Sequence, residues 1–127
     1  MRIPFDPVWG LIVVRTLVRG PMGELTLRLA LDTGATRTTI GHAPLVAIGC
    51  DPMAVIDRIE VTMGGSVEYS PLVTVEDIEA LGLTRDAFPV LAHTLPPSAS
   101  VDGVLGLDFL RGRRLVVDFR TGQIDLD

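Results

Sequence analysis

Apolar side chains recur at every second position over much of this chain. Leu25, Leu27, Leu29 and Leu31 alternate with Thr26, Arg28 and Ala30, the period of a strand with one face in a core. Leu11 to Val18 reads as the strand before it, and Gly20, Pro21 and Gly23 mark the turn between them. This pair predicts a hairpin that delivers the chain to Asp32. A second hairpin is predicted from Val55 to Thr62 and Val67 to Val75, reversed at Gly64-Gly65, with Pro71 suggesting an edge or a bend. Glu76 to Leu81 reads equally as a helical turn or as continued strand. Phe88 to Ala92, Leu115 to Phe119 and Gln123 to Leu126 read as further strands, with a turn at Thr121-Gly122 before the last. Leu95 to Ser100, with two prolines, reads as a loop. Helical signals are confined to Pro44 to Ile48, ended by Gly49, and to Leu107 to Leu110. Many short strands with turn signals between them predict an all-β, barrel-like fold.

Composition narrows the class. The 127 residues suit one domain, 1–127, and 47% of them are hydrophobic, enough for a real core. Aromatics are few, so Val, Leu, Ile and Ala must build that core. A net charge of −5 argues against binding nucleic acid through its phosphates. All eleven basic residues are Arg, and the run Arg111, Arg113, Arg114 reads as a solvated turn. Cys50 is alone, so no intrachain disulfide forms, in keeping with a reducing, cytoplasmic setting. The N-terminus does not read as a signal peptide, because Pro4, Asp6 and Pro7 interrupt any apolar run, and Leu11 to Val14 is too short for a membrane span. His42 and His93 lack ligand spacing, so neither a metal nor another cofactor is expected.

The chemistry lies where the leucine strand ends. Asp32-Thr33-Gly34-Ala35 places an acid after a strongly apolar run, where a partly buried carboxylate needs a partner or a proton. Gly34 leaves its N–H free to approach that carboxylate, and the Thr33 hydroxyl can hydrogen-bond within the turn. The tripeptide alone reads equally well as an ordinary strand-ending turn. Downstream stand Val104-Leu105-Gly106 and Leu107-Asp108-Phe109-Leu110, with Asp108 suited to the start of a short helix. Asp118, Asp125 and Asp127 read as solvent-facing.

Taken together these segments resemble retroviral-type (retropepsin-like) aspartic proteases. Asp32-Thr33-Gly34-Ala35 resembles their first signature, Val104-Leu105-Gly106 their second, and Thr62-Met63-Gly64-Gly65-Ser66 stands where the family carries its flap. The resemblance spans nearly the whole chain and is strongest to the bacterial gag-protease-like branch and the DNA-damage-inducible proteases, through Asp102 to Leu110. It departs from the retroviral pattern at Leu107 and Asp108, where an Arg braces the retroviral dimer, and at Thr36 and Arg37, where acids are usual. The resemblance implies a single-lobe acid-protease barrel with a flap hairpin and one short helix, closed as a homodimer because the chain has one Asp-Thr-Gly. It implies an endopeptidase in which Asp32, with Thr33 and Gly34, is catalytic. It further implies that Ala30, Ala35, Met63, Gly64, Gly65 and Val104 contact an extended peptide whose apolar side chains are small to medium in size. The rival expectation is a catalytically silent dimeric module of the same fold that binds a peptide or protein partner.

Overall fold

Alternation of apolar and polar residues becomes strand pairing around a closed sheet. The computed structural model describes residues 2–63 and 65–127. Strands β2 (Val13–Gly20) and β3 (Gly23–Leu31) form the first hairpin, in register from Val13 opposite Ala30 to Gly20 opposite Gly23. Strand β4 (Thr39–Ile40) and helix α1 (His42–Ala47) follow, and β5 (Arg58–Met63) pairs with β6 (Ser66–Ala80) as the second hairpin. Strand β7 (Leu83–Ala92) returns antiparallel to β6, and β8 (Gly103–Leu105) leads into helix α2 (Leu107–Leu110). A separate sheet joins β1 (Arg2–Pro4), β10 (Gln123–Leu126) and β9 (Leu115–Asp118), in that order.

The larger sheet runs β2-β3-β8-β4-β7-β6-β5, and an extra pairing of β2 with β6 closes it into a barrel. Only β5 lies outside the closure, hung on the first half of β6. Closure gives each of the six barrel strands a neighbour on both sides and leaves β5 with one. Inside sit Val14, Val18, Leu29, Val75, Ile78, Val90, Leu105 and Phe109, all at 2% exposure or less. Phe88 meets Phe109 edge to face, with ring centroids 6.1 Å apart.

The all-β expectation holds, and the structure corrects several of its parts. The leucine stripe is only half in the core: Leu27 and Leu29 are buried, Leu31 packs partly against the core, and Leu25 is 37% exposed. Leu25 pairs with Val18 near the hairpin end. Both segments with helical signals form short helices, where the family resemblance implies one. Helix α1 is stabilised because Leu45 and Ile48, three positions apart, are both buried. Glu76 to Leu81 is strand up to Ala80, and Leu81-Gly82 makes the two-residue reversal with φ of 53° and 77°. Leu81 bears that left-handed conformation because its side chain is buried at 4% exposure. Val55 to Asp57 precede β5 rather than belong to it, and β7 starts at Leu83, before the predicted Phe88. Strand β4 has no signal of its own: two residues become strand only because β7 and β8 flank them.

Candidate active site

Asp32 follows β3 directly. Its own N–H donates to the Leu105 carbonyl at 3.0 Å, which locks the end of β3 to β8. The side chain is half-buried, as an acid at the end of an apolar strand should be. Gly34 N–H donates to Asp32 Oδ1 at 2.9 Å and Ala35 N–H to the Asp32 carbonyl at 3.2 Å. A Cβ on residue 34 would stand 3.1 Å from Asp32 Oδ1, so glycine is what allows the N–H this approach. The turn therefore fixes one carboxylate oxygen and leaves the other toward the cleft. Thr33 is exposed, and its hydroxyl makes no hydrogen bond within the turn, against expectation. The backbone N–H groups of Gly34 and Ala35 already close it.

What holds this turn in place is the strand-to-helix corner at Gly106. Leu107 N–H donates to the Ala35 carbonyl at 2.8 Å and Asp108 N–H to the Thr36 carbonyl at 3.2 Å. In return, Asp108 Oδ1 accepts from Thr38 N–H at 2.9 Å, from the Thr38 hydroxyl at 2.8 Å and from Phe109 N–H at 2.8 Å. The Thr38 hydroxyl also accepts from Gly106 N–H at 3.1 Å. Thr38 is fully buried, so these bonds are made away from water, where they hold most firmly. A Cβ at Gly106 would lie 2.7 Å from the Arg37 carbonyl carbon, so the 35–37 backbone packs straight onto this glycine. Asp108 therefore does more than serve the start of α2: its carboxylate ties the segment after the Asp-Thr-Gly to the second apolar signature. Asp102 makes a parallel clamp, accepting from Arg28 N–H at 2.9 Å and donating its own N–H to the Arg28 carbonyl at 2.8 Å.

The turn forms one side of an open cleft of about 650 Å³. Thr39, Leu91 and Val104 stand in one row across β7, β4 and β8 and form its floor. Ile59, Glu60 and Val61 of β5 form the facing wall, with His93 and Leu95 also lining it. Of the residues expected at the site, Asp32, Gly34, Ala35 and Val104 line this cleft. Ala30 does not: it is 5% exposed and sits between β2 and β8, opposite Val13 and Val104. Gly65 is exposed at the β5–β6 reversal with φ of 91°. Gly64 and the side chain of Met63 lie outside the described residues. Sequence reasoning did not name Thr38, Thr39, Leu91 or His93 as site residues, because nothing local marks them. It met Arg37 only as a departure from a pattern, yet Arg37 also lines the cleft.

A closed barrel with a hung hairpin and an acid-bearing turn beneath it defines a single-lobe acid-protease fold. In the crystal structure of a retropepsin-like aspartic protease from Rickettsia conorii the same fold is found, with a TM-score of 0.74 at 13% identity over 99% of this chain and 88% of that one. Residues 18–109 match the family model described as aspartyl protease, and the chain belongs to that family. No curated protein matches it in sequence.

Proposed function

We propose that the protein is an aspartic endopeptidase in which two copies pair and bring their Asp32 carboxylates together on the two-fold axis. The observation that carries this is a half-buried Asp32 in the cleft, held by Gly34 N–H, in an aspartyl-protease chain with one Asp-Thr-Gly. One carboxylate cannot both take a proton from water and give one to the amide. Two held side by side repel as a dianion and so share a single proton; aspartic proteases are the standard case of such a pair. The ionised member takes a proton from water as it attacks the scissile carbonyl, and the protonated member gives its proton to the carbonyl oxygen. No covalent intermediate is needed. Exposed apolar side chains beside the turn support pairing. Val8, Trp9 and Leu11 are 90%, 45% and 40% exposed, and the adjoining Ile12 carbonyl accepts from Leu31 N–H. An extended peptide would lie along the cleft as an added strand, with the β5–β6 hairpin folding over it.

The test is digestion of a degenerate peptide library across pH, with Asp32→Asn as the control. Wild type should cleave with a bell-shaped profile on the acid side of neutrality, and the variant should lose several powers of ten in rate while keeping its circular dichroism spectrum. Light scattering over a dilution series should show a dimer at active concentrations. If folded Asp32→Asn cleaves as fast as wild type, the reading fails. A wild type that binds peptides in Asp32-independent fashion without cutting them would be a silent binding module instead.

A further inference from the structure

Three arginines of this chain are partly withdrawn from water: Arg19, Arg37 and Arg85. Two of them have acceptors. Arg19 pairs with Glu24 at 2.9 Å and Asp77 at 2.6 Å, and Arg85 donates to the Phe109 carbonyl at 2.8 Å and the Arg111 carbonyl at 2.5 Å. Arg37 has none among the described residues, although it lines the cleft with two acids, Asp32 and Glu60. Neither acid is within ion-pair reach of it. The Arg37 residue is partly buried, and the five donors of its guanidinium meet no acceptor among the described residues. Its backbone, by contrast, is anchored on both sides. The Thr36 carbonyl is bonded by Asp108 N–H, Thr38 N–H is bonded by the Asp108 carboxylate, and the Arg37 carbonyl rests on Gly106. The fold thus holds a cation at the cleft with no acceptor for it among the described residues.

Building on the endopeptidase reading, we propose that Arg37 is a specificity-determining residue whose partner is an acidic side chain of the substrate, Asp or Glu, placed close to the scissile bond. The planar fork of the guanidinium matches a carboxylate at two points, which a neutral amide cannot match with equal strength. Five aliphatic side chains, Ile59, Val61, Leu91, Leu95 and Val104, line the cleft beside polar Thr36, Thr39, Glu60, Ser70 and His93. The substrate class is therefore an apolar stretch with one acid beside it. Recognition must be local, because the whole chain carries −5 and would repel acidic peptides at longer range.

The test uses a degenerate peptide library read by mass spectrometry, then matched peptides differing only by Glu or Gln at the position selected. For wild type, kcat/KM for the Glu peptide should exceed that for the Gln peptide by about ten- to thirty-fold. In Arg37→Gln that ratio should fall to near one. In Arg37→Glu it should invert, with a Lys peptide now preferred. Binding of the same Glu and Gln peptides to Asp32→Asn, followed by fluorescence anisotropy, gives a readout that needs no cleavage. If wild type cuts peptides with no acid preference, or Arg37→Gln keeps the wild-type ratio, this proposal is overturned and the protease reading stands. If nothing is cut but Asp32→Asn binds the Glu peptide better through Arg37, the protease reading fails, and with it the placement beside a scissile bond, while the pairing of Arg37 with a peptide acid stands. If no peptide is cut or bound, both fall. Arg37→Gln that loses activity on all peptides alike while dissociating to monomers would assign Arg37 to the subunit contact instead.

Discussion

Removing the Asp108 carboxylate should loosen the segment that follows Asp32, and the cost can be worked from the bonds it makes. Three donors converge on Oδ1: Thr38 N–H, the Thr38 hydroxyl and Phe109 N–H. In Asp108→Ala all three lose this acceptor. Phe109 N–H still has the Gly106 carbonyl at 3.3 Å, so its loss is small. The two Thr38 donors have no such alternative, and Thr38 is fully buried. Each buried donor left unpaired costs about 1–3 kcal/mol. Asp108 itself is only half-buried, so water can enter the vacated space, and the lower half of that range applies. The expected destabilisation is about 2–4 kcal/mol, a large part of the roughly 5–15 kcal/mol that holds an ordinary domain together. For a chain of this size that is a fall in Tm of roughly 10 °C. Asp108→Asn is the informative partner variant. It keeps an oxygen where Oδ1 meets all three donors but sets an NH2 against Thr38 N–H, where Oδ2 accepts at 2.9 Å, so the loss should be about 1–2 kcal/mol, smaller than that of alanine. Urea unfolding followed by circular dichroism, at one fixed protein concentration so that any association contributes equally, measures both. An alanine variant within about 0.5 kcal/mol of wild type, or an asparagine variant as unstable as alanine, would refute the reasoning.

Gly106→Ala should cost about 1–3 kcal/mol, because the new Cβ would meet backbone at Arg37 and Ala35 within 2.9 Å, and backbone cannot step aside as a side-chain tip can; thermal unfolding checks it. Burial pushes the Cys50 thiol up, with Glu76 adding to the effect, so labelling by a thiol reagent at neutral pH should be slow when folded and fast in denaturant. The N–H groups of Thr121 and Arg120 hold the Asp118 carboxyl below the usual carboxylate range. A lowered folded value stabilises above the unfolded pKa and loses that contribution as pH falls through the folded one. The stability gap between wild type and Asp118→Ala should therefore narrow between about pH 5 and the folded value, as pH-dependent urea titrations would show.

Local chemistry made much of this protein legible in its sequence. Period-two leucines after a Gly-Pro turn and the apolar run Leu11 to Val18 before it are enough for the β2–β3 hairpin, because alternation and turn residues act over a few positions. The final strand, Gln123 to Leu126, was readable for the same reason. So was the Asp32 turn, since the approach of Gly34 N–H to its carboxylate spans only two residues. What lay beyond reach was whatever depends on partners distant in sequence. Thr39-Ile40 is strand only because β7 and β8 lie on its two sides, and Leu25 is exposed although it is in step with the buried Leu27 and Leu29. Ala30 belongs to the apolar alternation by position, but the parallel pairing with Val104 buries it and takes it out of the cleft. Thr38 and Asp108 are seventy residues apart, and nothing in either neighbourhood announces that a buried hydroxyl and a carboxylate will meet. Sequence placed the candidate acid, because the turn that holds Asp32 is built from its nearest neighbours along the chain. The tertiary structure decided what faces it, because a cleft is made by strands that only the closed barrel brings together.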